Sequence, residues 1–361
     1  MAALSDQLLV VAILGYLLAM ICHAAEYAFG TRSLVGRVAD RPERSARERE
    51  RELVLAGVGT AGTATDGNSA LAEPLPEVPD DLSGLLGDGA TPDGPTGPGA
   101  AGSPEVAGRR ATLVGRGAVA LTALAAVVHL AVLVTRGIAA ERMPWGNMYE
   151  FVLSVTFVGV AAWLGVIWRR PTVRHLGLFV ALAMVLLLAV DGLLLYVPIV
   201  PLVPALNSYW FIVHVSAAAL ASGLLLLGAV PAVMYLIRTG YDQGKRSFPY
   251  TLGARVPAAA QLERLTFRLH AFAFPIWTFA VMAGAVWAEV AWGRYWGWDP
   301  KETWAFISWV IYAGYLHARA TPSVRRPVAT WIALLGFLTM QMNLYGVNIF
   351  FDGLHSYGGL D

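Results

Sequence analysis

Apolar residues in this sequence gather into long runs separated by short polar breaks, and the length of those runs decides the fold class. Runs near residues 8–29, 112–135, 148–168, 175–198, 208–238, 266–290, 304–320 and 327–350 each approach the ~20 residues with which a helix crosses a hydrocarbon core. They predict an all-α, polytopic transmembrane helical bundle of about eight spans, with no internal repeat. The first run is too long, and lacks the cleavage-like end, for a removable signal peptide. Residues 1–30 therefore read as a retained transmembrane anchor. Residues 111–361 hold the other seven spans and form the core.

The segment 31–110 between them breaks the pattern. It opens with a mixed charge run, Arg41-Pro-Glu-Arg-Ser-Ala-Arg-Glu-Arg-Glu-Arg-Glu52, that suits a short solvated helix. It continues in Gly, Pro, Asp, Ala and Thr, a composition that buries too little apolar surface to fold. It reads as a disordered cytoplasmic linker without catalytic duty.

Charge then orients the bundle. Of 26 Lys and Arg, twenty-two fall in the linker with the start of the second span and in the breaks at 169–174, 238–268 and 319–326. The alternate breaks hold only Arg136, Arg142, Arg294 and Lys301. The positive side is expected to be cytoplasmic, which puts both termini and the 292–302 loop on the extracytoplasmic face of the cytoplasmic membrane. A net charge of +1 implies no nucleic-acid partner. Cys22 is the only cysteine, so an internal disulfide, a CxxC pair and a multi-thiolate metal site are excluded.

The loop Trp292-Gly-Arg-Tyr-Trp-Gly-Trp-Asp-Pro-Lys-Glu302 is the densest chemical signal. Interfacial Trp belts are scattered anchors, whereas this cluster is compact and broken by Gly293 and Gly297, which permit tight turns and close approach to a flat ligand. Two readings follow: an aromatic anchor with a helix cap, or a platform for a large planar cofactor. Asp299, Pro300 and Glu302 match the start of a helix, with Asp as cap. Capping does not account for the tryptophans. His214 and His355 fall at the membrane face of this loop, the constellation expected for bis-His ligation of a heme iron. Each alone also fits a satisfied interfacial polar residue. His317, near the inner end of its span, is an intramembrane candidate that His270 or His23 can partner. His129 and His175 are less committed. Asp191 and Glu150 are acids near or within apolar spans and suit a proton path. Glu289 is placed to hydrogen-bond a ligating imidazole.

Residues 292–306 resemble the tryptophan-rich WWD signature of the cytochrome c assembly family. Tyr315-Leu-His-Ala-Arg319, Gly353-Leu-His-Ser-Tyr357 and Trp145-Gly-Asn-Met-Tyr-Glu150 sharpen the likeness to its CcsA/ResC branch, the heme-handling subunit of system II cytochrome c biogenesis. The likeness spans roughly 140–361. It implies that His214 and His355 ligate an outer heme b, bound as substrate. Trp292, Tyr295, Trp296, Trp298 and Asp299 would hold the porphyrin there. It implies that His317 belongs to an inner heme site whose second ligand comes from a ResB-like membrane subunit. A thiol-reducing thioredoxin-like protein and an apocytochrome c carrying CxxCH complete the implied partners. The implied activity is heme delivery and covalent attachment, a heme lyase active with its ResB-like partner, in which this chain positions the reactants and supplies no nucleophile. A heme exporter or chaperone without ligation activity would use the same histidines. A b-type electron-transfer subunit would want two stacked histidine pairs, and a bare scaffold would need neither the histidines nor the loop.

Overall fold

The computed structural model describes residues 1–29 and 104–355. The expected linker therefore lies outside the described residues except for its end, where a helix begins at Pro104. The described chain is helical, without strands. Its elements are α1 (Ala2–Phe29), α2 (Pro104–Ala140), α3 (Met148–Arg169), a 3-10 segment (Pro171–Leu176) leading into α4 (Gly177–Leu194), α5 (Tyr209–Asp242), α6 (Ala259–Trp292), α7 (Pro300–Ala320) and α8 (Arg326–Gln341). A π turn at Met342–Gly346 carries α8 into a last turn, α9 (Val347–Phe350).

Seven of these helical stretches are long and apolar enough to cross a membrane, against about eight expected. The exception is α7, which has the length (21 residues) but spends it on polar and aromatic side chains from Lys301 and Glu302 to His317 and Arg319. α5 is the central helix, with 78% of its most apolar window buried, against 28–50% for the other spans. It packs most extensively on α6 and also meets α3 and α8, while α1 lies against α2 and α4. Helices that are apolar around most of their circumference bury one side on neighbours and leave the other for lipid. Exposed Leu14, Leu124, Leu186 and Leu335 mark that outer side.

One end of the bundle is built with care. Asn147 caps α3 by accepting from the Glu150 N–H at 2.9 Å, and Ser208 caps α5 by accepting from the Trp210 N–H at 3.2 Å. Asp299 and Glu302 form a reciprocal capping box at α7, as the sequence suggests. α6 stops where Gly293 turns left-handed at φ 70°, returning its N–H to the Glu289 carbonyl. Three helix starts and one helix end thus share the level of the aromatic loop.

Glu150 anchors the same end. Its carboxylate, fully buried, receives Arg136 Nε at 2.9 Å, Arg142 Nη1 at 2.6 Å and the Gly146 N–H at 2.7 Å. Arg136 also donates to the Val197 carbonyl. A carboxylate so fully engaged fastens the 141–147 turn in place. At the opposite end, Arg174 donates to Glu26 at 2.8 Å with His23 beside it, clasping α1 to the segment before α4.

Candidate functional site

A cavity opens at the capped end among α3, α5, α6, α7 and the π turn. Its empty volume is about 1230 Å³, part of it open to the exterior, and its walls include Trp145, Phe211, His214, Trp287, Trp296 and His355. The lining is aromatic and apolar with a few polar groups, the usual make-up of a site for a sizeable organic ligand.

His214 projects from the first turns of α5. Its Nδ1 donates to the Ala280 carbonyl on α6 at 2.8 Å, because a carbonyl can only accept. The ring lies parallel to Trp287, centroids 5.7 Å apart and planes 12° off. Gly284 makes the approach possible, since a Cβ there would sit 2.7 Å from the imidazole. His355 arrives from the segment after α9. Its Nδ1 donates to Asp299 Oδ1 at 2.8 Å, while Asp299 Oδ2 accepts the Leu354 N–H at 2.7 Å. The His355 ring meets Trp292 edge-on at 4.9 Å and Trp287 at 5.6 Å.

Both imidazoles are therefore held through Nδ1–H, which leaves the lone pair on Nε2. Neither Nε2 hydrogen-bonds within the described residues. This is the tautomer and tethering that a metal-ligating histidine needs, and the carboxylate behind His355 also raises its basicity. Burial works to raise the pKa of Asp299. The hydrogen bonds from His355, Leu354 and Lys301, with the positive charge that His355 carries only when protonated, outweigh it and hold the carboxyl at about 2. Asp299 is thus a helix cap and an imidazole anchor at once.

The remaining sequence-predicted residues divide. Tyr295 and Trp296 line the cavity; Trp292 packs on Trp287 and His355 beside it. Trp298 does not reach it: 64% exposed and left-handed at φ 58°, it stands edge-on to Trp296 at 5.7 Å. His317 is exposed, whereas the hydrogen-bond and ring partners of His270 are Thr266, Tyr312 and Tyr315 and those of His23 are Thr122 and Glu26. His270 is buried against Tyr312 and Tyr315, and His129 is enclosed beside Tyr16. His23 and His175 sit at the Glu26–Arg174 clasp. Glu289 is exposed, and Asp299 takes the place beside an imidazole envisaged for it. Glu150 is an anchor, and Asp191 is buried with no hydrogen bond to either carboxylate oxygen among the described residues.

Trp287 escaped sequence reasoning although it touches both imidazoles. It was legible as spacing: Ala280, Gly284 and Trp287 recur at i, i+4 and i+7, one stripe of α6, and that stripe faces His214.

Residues 145–355 match the family model described as "Cytochrome C assembly protein". The chain is 35% identical over 256 residues to the cytochrome c biogenesis protein CcsA of Guillardia theta, covering 66% of this chain and 85% of the relative. It is 33% identical over 306 residues to CcsA of Gloeobacter violaceus, covering 70% and 89%, and 32% identical over 269 residues to CcsA of Cyanophora paradoxa, covering 63% and 82%. The matched segment contains every element of the cavity, from Trp145 through the WWD loop to His355. On these grounds the chain belongs to the cytochrome c assembly protein family, as a CcsA-type member.

Proposed function

We propose that this chain binds heme b as substrate in the cavity between His214 and His355, at the extracytoplasmic face, and presents it for covalent attachment to the CxxCH of an apocytochrome c. One observation carries the reading: two imidazoles, each tethered through Nδ1 and free at Nε2, open on a single aromatic cavity. Such a pair suits axial ligation of a porphyrin iron, and the indoles suit burial of its ring.

The chemistry of attachment is addition of two cysteine thiols to two vinyl groups, and it needs no nucleophile from the enzyme. The chain's part is positioning. Trp287, Trp292 and Trp296 bury the ring, Asp299 and Ala280 fix the imidazoles, and the open side of the cavity admits the peptide. Exchange of one axial histidine for the histidine of CxxCH then brings both thiols beside the ring edge, a proximity effect. His317, exposed near the opposite end, is assigned to an inner heme site completed by a ResB-like subunit. A thioredoxin-like reductant keeps the thiols reduced. The charge asymmetry supports a cytoplasmic-membrane location with the WWD loop outside.

The test is a pyridine hemochrome spectrum of the detergent-purified chain coexpressed with its ResB-like partner. Stoichiometric b-type heme is expected, lost or made imidazole-dependent in His214→Ala/His355→Ala. A colourless wild type with heme supply verified would overturn the reading, and a CxxCH peptide assay separates attachment from export.

A further inference from the structure

The polar groups of the cavity are unequally matched, and the imbalance concerns the end of the ligand away from the iron. Lys301, in the first turn of α7, is the only lysine or arginine among the lining residues. Its ammonium carries three donors and uses one, on Asn348 Oδ1 at 2.8 Å, with no ion pair among the described residues. Asn348 in turn reaches Met148 Sδ at 3.2 Å, which brings Lys301 to the start of α3. There stands Asn147. Its Oδ1 is committed to capping α3, so the amide orientation is set and the group left over is Nδ2, buried without a partner. The indole N–H groups of Trp145 and Trp277 are likewise buried, unpartnered and in the lining.

Buried polar groups in native proteins find partners, so a surplus of donors in a cavity describes its ligand. Apart from the two imidazole Nε2 atoms, which the heme reading above gives to the iron, the unpartnered acceptors in the lining are Asn343 Oδ1 and Glu302 Oε1. The Glu302 carboxylate is already bound by the Gly297 and Asp299 N–H groups through Oε2. The balance favours an anion with acceptor atoms only.

We propose that Lys301 and Asn147 form a carboxylate-binding corner that receives a propionate of the porphyrin, orienting the ring about the axis between the two histidines. This rests on the heme reading above and adds to it: axial ligation fixes the iron but not the rotation of the ring, and rotation decides which edge faces the peptide. A charge-assisted hydrogen bond to a carboxylate in such a setting corresponds to a preference of about tenfold or more.

The experiment is a spectroscopic titration of the full-length detergent-purified chain with hemin and with hemin dimethyl ester, for wild type, Lys301→Gln, Lys301→Arg and Asn147→Asp. The wild type is expected to bind the free acid about tenfold or more tighter than the ester. Lys301→Gln should remove most of that preference while leaving ester affinity in place, and Lys301→Arg should keep it. Asn147→Asp retains the capping oxygen but replaces the free donor with an anionic acceptor, and should lower or invert the preference. An acid-to-ester ratio in Lys301→Gln equal to wild type overturns the proposal, including the case where both affinities fall together. Wild type that binds the two equally overturns it while leaving the heme reading standing. Binding of neither overturns both.

Discussion

His214 and His270 lie on neighbouring helices, α5 and α6, toward opposite ends of the bundle, and their local chemistry is nearly the same. Each donates Nδ1–H to a backbone carbonyl at 2.8 Å, and each is admitted by a glycine on the adjoining helix, Gly284 for one and Gly228 for the other. They differ in where the tether leads and what lies beyond the ring. His214 is tied to a different helix, so its orientation is fixed relative to the bundle, and its other side faces a cavity. His270 is tied to Thr266 one turn back on its own helix and is closed in by Tyr312 and Tyr315, with Nε2 buried and unpartnered. An imidazole becomes a ligand candidate through the space kept at its second nitrogen, and burial alone does not make it one.

The largest expected effect breaks this comparison directly. His214→Ala or His355→Ala is expected to abolish axial ligation at the outer site, a loss beyond the 10–100-fold that removal of a supporting group costs. His270→Ala should leave outer heme content near wild type and reduce thermal stability instead, since it opens a cavity between α5, α6 and α7. Heme-to-protein ratio and melting temperature on the three variants decide it. Equal heme loss from His270→Ala would erase the distinction drawn here.

Next in size is Asp299→Ala, which removes both the partner of His355 and the cap of α7. Heme affinity is expected to fall about 10–100-fold, read by titration, with a further loss of about 1 kcal/mol of stability from the missing cap. The pH dependence has a definite sign. With the carboxyl near 2 in the fold against 3.8 ordinarily, its contribution is complete above about pH 4 and is lost as pH falls through about 2. Between pH 5 and 8 no step in the heme spectrum should trace to Asp299.

Much of this was legible in the sequence. Apolar runs gave the helices to within a few residues at most ends, because span length is dictated by the membrane and not by tertiary detail. The capping box at α7 was legible because Asp, Pro and Glu at fixed offsets admit few other uses. The double duty of Asp299 was not, since its partner His355 is 56 positions away and joined only by the fold. Membrane depth separated His214 from His270, since His214 falls at the face of the aromatic loop, but the cavity kept beside one ring and the tyrosines that close in the other exist only in the fold. Aromatic density drew the reading to the loop with Trp298 and away from Trp287, whose one signal is its place on the Ala280 and Gly284 stripe of α6.

Gly284→Ala tests the tether of His214 at smaller scale. Replacing a helical glycine gains at most about 1 kcal/mol of helix propensity, whereas a methyl carbon 2.7 Å from the imidazole forces overpacking of about 1–3 kcal/mol. Net destabilisation with weakened heme binding is expected, visible as a lower melting temperature and a shifted Soret band as the ring leaves Trp287. Gly228→Ala, which crowds His270 in the same manner, should cost comparable stability without the spectral change.

The smallest effect is expected at Trp298, and it sharpens the contrast within the aromatic loop. A bulky residue at φ 58° is held in a region that costs of order 1 kcal/mol, and the side chain is 64% exposed outside the cavity. Trp298→Gly relaxes the backbone while leaving Asp299 and Trp296 as they are. Heme affinity should change by less than about threefold, since a residue outside a site alters it only through loop flexibility. Trp296→Ala, which strips an indole from the cavity wall, should cost several-fold more. If attachment to a CxxCH peptide falls in Trp298→Gly while bound heme is retained, the exposed indole serves the incoming chain and not the porphyrin. If heme is lost as completely as in Trp296→Ala, the loop closes on the ring as a unit, and the division drawn within it fails.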